Sequence, residues 1–336
     1  MGRLGAGAAR SLSVDVALVT GARGFVGAWL VGALLDAGCR VVSLDKGRTE
    51  RPVSTLGLLG IDADVEDVAG DLNDGEVVAR LLREHRVDSV FHLAAETIVG
   101  DVQSSPIRGF ETNVRGTWTL LEACRGADVE RIVVASSDKA YGAHAELPYR
   151  EDFALQPTAP YEASKAAADL IARSYARSYG LPVAVTRFAN IYGGGDLNFS
   201  RLVPETVGAA LDGRRPVLRS DGSPERDLLY VEDAASAYLD IARSLDRGDV
   251  RGEAFNAGGG EPHSVREVVE LILRLAGSDL EPDIQGEGNP DGEIDRQWVD
   301  ATKIRERCGW SPAVGLEEGM RRTIEWYRDH PEARPQ

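Results

Sequence analysis

The chain has 336 residues, of which 43% are hydrophobic and 27% charged. This composition is typical of a soluble globular protein with one large or two smaller domains. The 38 basic and 54 acidic residues give a formal net charge of -16, which argues against nonspecific binding to nucleic acid or to anionic lipid. A few local arginines could still bind an anionic small molecule.

Cysteine usage and hydropathy restrict the compartment. Cys39, Cys124 and Cys308 are odd in number, far apart and without metal-ligand spacing. They predict no metal site and no disulfide framework, and we expect a cytoplasmic protein. No apolar run is long enough to span a bilayer, so no membrane partner is expected. Residues 1–14 lack the apolar core of a secretory signal and are predicted to be a flexible tail.

The first predicted element is a buried strand at residues 16–19, followed by three glycines and a helical run at 29–37. Gly21 lets the chain turn off the strand, Gly24 lets backbone N–H groups approach a pyrophosphate, and Gly27 lets helix and strand pack closely. The helix N-terminus would then face the anion. The sequence therefore predicts a dinucleotide site that comprises Gly21, Gly24, Phe25, Val26 and Gly27.

A second predicted strand, residues 40–44, ends in Asp45. An acidic side chain at this place suits a ribose 2′-hydroxyl and repels a 2′-phosphate, which favours NAD over NADP. Lys46 lies beside it and could soften this discrimination. Asp45 could also be an ordinary residue of a strand-end turn.

The next strand, predicted at residues 65–71, leads to Asp71 and Leu72, where the adenine could meet the chain. Asp71 could equally cap the helix that is predicted at 75–86. A further strand, residues 89–95, ends in small residues that leave room for a ligand at the sheet edge. We therefore expect Leu93, Ala94 and Ala95 to contact the cofactor.

Residues 110–125 place Val114, Trp118 and Leu121 at helical spacing. Asn113, near the start of this predicted helix, is expected beside the cofactor. Residues 131–137 form another continuous apolar run, typical of a parallel strand covered on both faces. The repeated alternation of strand and helix predicts an α/β fold with a Rossmann-type, doubly wound parallel sheet.

A long helix, Pro160–Tyr179, and a strand at 183–190 are expected to complete the NAD-binding domain, residues 15–190. The pattern then becomes irregular, with glycines at 193–195 and short strands near Val217 and Leu228. Residues 191–336 are predicted to form a smaller mixed α/β domain that binds the substrate, with some segments interleaved with the first domain. Its helices are expected at 202–211, 232–242, 265–276, 300–308 and 316–330.

The candidate catalytic residues follow the predicted strand at 131–137. Ser137 ends this strand, and Tyr161 and Lys165 stand four residues apart, on one face of the long helix. An ammonium near a phenol favours the phenolate and can bring its pKa toward working pH, which would give a general base for a sugar hydroxyl. Lys165 could also hold the nicotinamide ribose. Alone, such a Tyr-Lys pair would be an ordinary surface pair.

Several motifs in this order resemble those of the extended short-chain dehydrogenase/reductase family, the nucleotide-sugar epimerases and dehydratases. They are GARGFVG (21–27), HLAA (92–95), TNVRGT (112–117), Tyr161 with Lys165, RFANIYG (187–193) and RDLLYVED (226–233). The resemblance covers residues 15–327. It implies tightly held NAD, transient oxidation at sugar C4, and a nucleoside diphosphate held by the smaller domain.

The resemblance also implies substrate contacts. Asn190 would contact the diphosphate, and Arg226 and Arg296 would neutralise it. Glu96 would touch the sugar or cap the next helix, and Leu202 and Val203 would lie near the base. Arg219 stands where many relatives have a small or aromatic residue and is expected in the nucleotide pocket.

The residues after Ser137 separate the reactions of this family. Simple 4-epimerases carry small or apolar residues there, whereas 4,6-dehydratases place an acid and a base, usually Asp then Glu. Asp138 and Lys139 make this chain similar to the CDP-glucose 4,6-dehydratases. Asp138 would protonate the leaving 6-hydroxyl. Lys139 would assist deprotonation at C5, stabilise the enolate, or merely pair with Asp138.

The sequence therefore predicts an NAD-dependent NDP-hexose 4,6-dehydratase, with CDP-glucose as the preferred substrate. An NAD-dependent NDP-sugar 4-epimerase is the alternative, favoured if Asp138 points away from the pocket. A noncatalytic NAD-binding protein is a third hypothesis, against which Ser137, Tyr161 and Lys165 argue. By the resemblance, residues 110–125 and 160–179 would pack as a four-helix bundle in a homodimer.

Overall fold

The computed structural model describes residues 14–46, 53–288 and 294–335. The predicted tail, residues 1–14, lies outside these ranges except for Val14. The strands are β1 (Val16–Thr20), β2 (Arg40–Asp45), β3 (Val65–Ala69), β4 (Ser89–His92), β5 (Arg131–Ala135), β6 (Val183–Phe188), β7 (Asn190–Tyr192), β8 (Val217–Leu218), β9 (Glu225–Tyr230), β10 (Ala254–Ala257), β11 (Pro262–Ser264), β12 (Asp283–Ile284) and β13 (Arg296–Gln297).

The helices alternate with these strands over the first half of the chain. They are α1 (Phe25–Asp36), α2 (Thr55–Leu58), α3 (Gly75–His85), α4 (Val99–Ser104), α5 (Pro106–Phe110), α6 (Gly116–Arg125), α7 (Pro160–Tyr179), α8 (Leu202–Leu211), α9 (Val231–Ser244), α10 (Val265–Ala276), α11 (Thr302–Cys308) and α12 (Leu316–Asp329). Helix ends follow local chemistry: Asp74 Oδ1 accepts from the backbone N–H groups of Glu76 and Val77 at the start of α3.

The main sheet has seven strands in the order β10-β6-β5-β4-β1-β2-β3, and every pairing is parallel. Its inner strands are buried on both faces, as continuous apolar runs require, whereas the edge strand β3 is largely exposed. Leu18 contributes to one hydrophobic core, and its neighbours Ala17 and Val19 contribute to the other. Helices α1 and α9 pack on one face and α3, α6 and α7 on the other. The predicted Rossmann-type doubly wound sheet is confirmed.

The strand order reverses beside β1, which pairs with β2 on one side and with β4 on the other. In an open parallel sheet this reversal leaves a crevice at the carboxyl ends of the strands, where ligands bind. The loops that follow β1, β4 and β5 all begin at this edge.

The remaining strands form smaller sheets in the second half of the chain. Strand β9 pairs with β7, β11 and β13, and β8 pairs with β12. Helices α8, α10 and α12 pack together and share a separate core with β9. The predicted boundary after residue 190 falls within β7, one residue after its start, whereas α9 and β10 return to the main sheet.

Some elements differ from the sequence prediction. Helix α1 begins at Phe25, four residues before the predicted start, directly after the glycine turn. The single helix predicted at 110–125 is divided by a π-helical segment, Glu111–Arg115, between α5 and α6. Strand β10 was not predicted, because four residues with one large apolar side chain, Phe255, carry too little periodicity. None of the described helices combines the length and hydropathy required of a membrane span.

Candidate active site

A cavity of about 820 Å³ opens at the carboxyl edge of the main sheet and extends to the smaller sheets. It brings together residues that are far apart in the chain. Of the predicted site residues, those that line it are Gly21, Gly24, Phe25, Val26, Gly27, Leu93, Ala94, Ala95, Ser137, Asp138, Lys139, Tyr161, Lys165, Asn190, Leu202, Val203, Arg219 and Arg226.

The glycine loop at this cavity has geometry that only glycine allows. Gly21 has φ +75°, and a Cβ added there would lie 2.8 Å from the backbone nitrogen of Ala94. A Cβ on Gly27 would collide with the Gly21 carbonyl. Helix α1 starts immediately after Gly24, so its first N–H groups face the cavity edge without intrahelical partners. This arrangement fits the pyrophosphate of a dinucleotide.

Asp45, Lys46 and Asp71 lie beyond the lining of this cavity, at the ends of β2 and β3. Asp45 ends β2, and its backbone carbonyl accepts from the N–H of Gly70 at 2.8 Å. Lys46 Nζ lies 3.4 Å from Asp71 Oδ2. Lys46, the cation that was predicted to weaken the selectivity for NAD, is therefore paired with a carboxylate. Asp71 Oδ1 accepts from the Asn73 N–H. Asp71 is therefore not the cap of α3, a role that Asp74 fills.

Leu72 and Asn113 were predicted to contact the cofactor, but neither side chain lines the cavity. Leu72 is buried in the hydrophobic core. The Asn113 side-chain amide is hydrogen-bonded within the protein. Its Oδ1 accepts from the Glu96 N–H at 2.7 Å. Its Nδ2 donates to the Glu96 carbonyl at 3.1 Å and to Ser164 Oγ at 2.9 Å. Asn113 therefore fixes the loop after β4 instead of binding a ligand.

Glu96 fills neither of its predicted roles. Its Oε1 accepts from Arg108 Nε and Nη2 at 3.0 and 2.9 Å, and the residue lies outside the cavity. Ile98, not Glu96, precedes α4. His92, the first residue of the HLAA motif, is buried between Thr20 Oγ1 and Thr117 Oγ1. Burial lowers its pKa to about 3, so it stays neutral.

Tyr161 and Lys165 lie in the first turns of α7, and both side chains are buried in the cavity wall. Lys165 Nζ donates to the Ala135 carbonyl at 2.9 Å. Burial lowers the pKa of Lys165 to about 8. Burial also raises the pKa of Tyr161 to about 12, and Arg201 and Ser137 oppose only part of this effect. The predicted lowering of the phenol pKa by Lys165 is wrong for this arrangement: burial raises the pKa of Tyr161, and the cation that acts against the rise is Arg201.

Asp138 is the buried carboxyl of the site. It is 2% exposed and lies three residues after the end of β5. Its Oδ1 accepts from Ser137 Oγ at 3.0 Å. Its Oδ2 has no hydrogen-bond partner within the described part of the chain. Burial raises the pKa of Asp138 to about 6, and the charge of Lys139 opposes the rise. The carboxyl is therefore close to half-protonated in the slightly acidic range.

Lys139 lines the cavity beside Asp138. Among the residues that the structure describes, no ion pair joins its ammonium to Asp138 or to any other carboxylate. The hypothesis that it merely pairs with Asp138 is not supported. Its ammonium remains available to charge that develops in the cavity.

Of the arginines predicted to bind the nucleotide part of the substrate, the fold brings only two into the cavity. Arg219 and Arg226 line the cavity, and Arg226 Nη1 donates to the carbonyls of Glu225 and Asp295. Arg296 does not line it. Its Nε pairs with Glu225 Oε2 at 2.8 Å, and its guanidinium lies 4.8 Å from the Trp298 ring centre. The prediction for Arg296 is corrected for this reason.

Sequence reasoning missed Arg201, which also lines the cavity. Its Nη1 is 3.1 Å from Asp196 Oδ2, and the Asp196 side chain is buried. The arginine directly precedes α8, which begins with Leu202 and Val203, the residues expected near the base. No motif in the sequence indicated that its charge would reach Tyr161.

The family model described as GDP-mannose 4,6 dehydratase matches residues 18–323. A dTDP-glucose 4,6-dehydratase of Xanthomonas campestris pv. campestris is 36% identical over 329 residues, which cover 92% of each chain.

Two solved structures are also similar. The dTDP-glucose 4,6-dehydratase of Bacillus anthracis in complex with NAD has a TM-score of 0.82 and 31% identity, and the match covers 95% of this chain and 98% of that one. The UDP-glucose 4-epimerase of Thermotoga maritima with UDP-glucose has a TM-score of 0.86 and 30% identity. The match covers 94% of this chain and 99% of the epimerase chain.

Proposed function

Because the chain belongs to the GDP-mannose 4,6-dehydratase family, we propose that it is an NAD-dependent 4,6-dehydratase of nucleotide-activated hexoses. Its product would be a 4-keto-6-deoxy sugar nucleotide. The observation that carries this proposal is Asp138, a buried carboxyl in the cavity wall with a raised pKa and an unpartnered oxygen. A dehydratase needs such an acid for the leaving hydroxyl, whereas a 4-epimerase does not.

Asp138 would donate a proton to the 6-hydroxyl as it leaves. A carboxyl with a pKa of about 6 is protonated often enough for this work and still acidic enough to give the proton up. Ser137 orients it through the 3.0 Å hydrogen bond to Oδ1. The unpartnered Oδ2 would then be the oxygen that reaches the substrate.

Tyr161 would remove the proton of the sugar 4-hydroxyl. Its pKa of about 12 favours the neutral phenol, so the positive charges of the assembled site must lower that value for the phenol to act as a base. Arg201 already acts in this direction. Bound NAD would supply reversible hydride transfer at C4, with no net oxidation of the sugar. Gly21, Gly24 and Gly27 would hold its pyrophosphate, and Asp45 its adenosine ribose.

Lys139 lies in the cavity beside Asp138 and would take the proton from C5 as a neutral amine. The ammonium that forms would then stabilise the enolate beside the 4-ketone, because no carboxylate of the described residues pairs with this side chain. The proton removed from C5 thus passes to Lys139, and the proton that leaves with the 6-hydroxyl comes from Asp138.

The substrate diphosphate would lie near Asn190, Arg219 and Arg226, which line the side of the cavity away from the glycine loop. Arginine donors match phosphate oxygens well. The compared relatives act on or bind dTDP-glucose and UDP-glucose by their names. They give no support to the preference for CDP-glucose that Asp138 and Lys139 suggested. We therefore propose that the substrate is glucose linked to a pyrimidine nucleoside diphosphate. The substrate panel below identifies the pyrimidine base.

The test is a substrate panel. Purified protein is incubated with CDP-, dTDP-, UDP- and GDP-hexoses, and the products are separated and weighed by mass spectrometry. The proposal requires one product lighter by one water, without net NADH. An isomer of unchanged mass as the sole product would establish the epimerase instead, to which the Thermotoga maritima enzyme is a precedent. Asp138→Asn is the matched variant, since it should stop loss of water but not epimerisation.

We also propose a homodimer formed through α5, α6 and α7. Large apolar side chains on these helices are exposed, which is unusual for a monomer surface when they cluster. They are Ile107, Phe110, Trp118, Leu170 and Tyr179, with 40–77% of each exposed. A cytoplasmic location remains our proposal for the compartment, on the basis that Cys39, Cys124 and Cys308 are free thiols.

A further inference from the structure

Arg23 lies inside the glycine loop, yet it does not line the cavity. Its side chain is only 12% exposed, and two carboxylates hold its guanidinium. Nη1 donates to Asp62 Oδ1 at 2.8 Å, and Nη2 donates to Asp67 Oδ2. The second oxygen of Asp67 accepts from Ser43 Oγ. Arg23 is therefore fixed by partners that come 39 and 44 residues later in the chain.

The sheet register places this cluster beside Asp45. Ser43 pairs with Asp67, and Asp45 pairs with Ala69, in the parallel ladder of β2 and β3. Residues two apart on a strand project to the same face, so Asp45 lies on the face that carries Ser43 and the Arg23 contacts. Arg23 thus reaches from the loop after β1, across the end of β2, to β3.

A guanidinium in this neighbourhood has a known use in dinucleotide sites. An acidic residue at the end of the second strand binds the ribose 2′-hydroxyl of NAD, whereas a nearby arginine accommodates the 2′-phosphate of NADP. Arginine is suited to this because its fork matches phosphate oxygens. Here the arginine is present at the loop, but both of its terminal nitrogens already donate to carboxylates.

We propose that Asp62 and Asp67 make the protein selective for NAD by holding Arg23 away from a 2′-phosphate. Lys46 is likewise paired with Asp71 at 3.4 Å. The selectivity therefore has two parts: Asp45 repels the phosphate, and the acidic partners keep the neighbouring cations occupied. This inference concerns cofactor choice and does not depend on which sugar reaction follows.

The test measures nucleotide binding instead of turnover. The full-length protein is freed of bound nucleotide, and dissociation constants for NAD and NADP are measured by calorimetry. Nucleotide retained through purification is identified by chromatography in parallel. The key variant is D62N/D67N, in which neutral amides keep the shape but hold the guanidinium roughly half as strongly. We expect the affinity for NADP to rise roughly tenfold, and that for NAD to change less than about threefold.

Two further variants separate this explanation from general loss of negative charge. D64N removes a carboxylate from the same short turn, Asp62–Asp64, without touching Arg23, and should leave both affinities unchanged. R23Q added to D62N/D67N should abolish the gain, because the gain requires the released guanidinium. D62N alone, at a partly exposed position, provides the same comparison on a smaller scale if the double variant is unstable.

Three results would overturn the proposal. The first is an unchanged affinity for NADP in D62N/D67N and in D62N. The second is a gain in NADP affinity that persists when R23Q is added to D62N/D67N. Such a gain would come from the lost repulsion between the two carboxylates and the 2′-phosphate. The third is an equal loss of NAD and NADP binding, which would make the cluster a support of the glycine loop and nothing more.

Discussion

Replacing Asp138 by Asn should make the protein less active and, at alkaline pH, more stable. Asp138 is buried, and burial raises the pKa of its carboxyl to about 6, from an ordinary value near 4. The folded state therefore holds the proton more tightly than the unfolded state. The stability that comes from the neutral carboxyl is fully present below about pH 4 and is lost as the pH rises through 6.

The magnitude follows from the separation of these pKa values. A tenfold change in proton affinity corresponds to about 1.4 kcal/mol, so burial of the ionised Asp138 costs about 3 kcal/mol above pH 6. Asn has nearly the same shape and carries no charge. D138N should therefore gain as much as about 3 kcal/mol in free energy of unfolding at pH 8, and little at pH 4.

The assay compares urea unfolding of the wild type and D138N at pH 5 and pH 8, with the same saturating NAD in every sample. Asp227 is also buried, and its pKa is also raised to about 6, mainly by burial. It contributes to the pH dependence of both proteins, and the charge of Asp138 is one cause of its raised pKa, so the difference between the two proteins reports on Asp138 together with this coupling. The same samples should show dehydration reduced by about 10²- to 10⁴-fold in D138N, because the general acid is missing.

Two results would refute this reasoning. A stability difference that is the same at pH 5 and pH 8 would mean that Asp138 is not a buried ionisable group. Undiminished loss of water from the substrate in D138N would mean that another group protonates the 6-hydroxyl.

Three further predictions test other parts of the molecule. Gly27→Ala should abolish NAD binding, because the added Cβ would collide with the Gly21 carbonyl. Gly32→Ala is the control and should leave NAD binding unchanged, because its Cβ would meet its nearest atom only at 3.7 Å. Calorimetry of NAD binding measures both variants. Arg201→Gln should lower kcat/KM by roughly tenfold at neutral pH, with a smaller loss as the pH rises, because the charge that lowers the Tyr161 pKa is gone; a pH-independent loss would contradict this. Leu170→Glu should give a monomer by sedimentation, since Leu170 is 57% exposed on the proposed dimer surface; an unchanged dimer would exclude α7 from the interface.

The amino-acid sequence by itself determined the part of this protein that depends on local pattern. The glycines at 21, 24 and 27 predict the turn and the helix after it, because only glycine allows that approach of backbone to backbone. The helix Pro160–Tyr179 was predicted with the bounds that the structure shows, since proline and glycine mark its ends. Continuous apolar runs predicted most strands of the parallel sheet, because both of its faces are buried.

The tertiary structure alone decided which polar side chains reach a ligand and which are consumed by the protein. Asn113, Glu96 and Arg296 carry suitable groups, but their partners come from distant parts of the chain. The pKa of Tyr161 rises instead of falling, because the burial of a side chain is a property of the packed fold and not of its neighbours in sequence. Arg23 is held by one carboxylate on β3 and one in the turn before it for the same reason: charge pairing acts through space, which the linear order of residues does not specify.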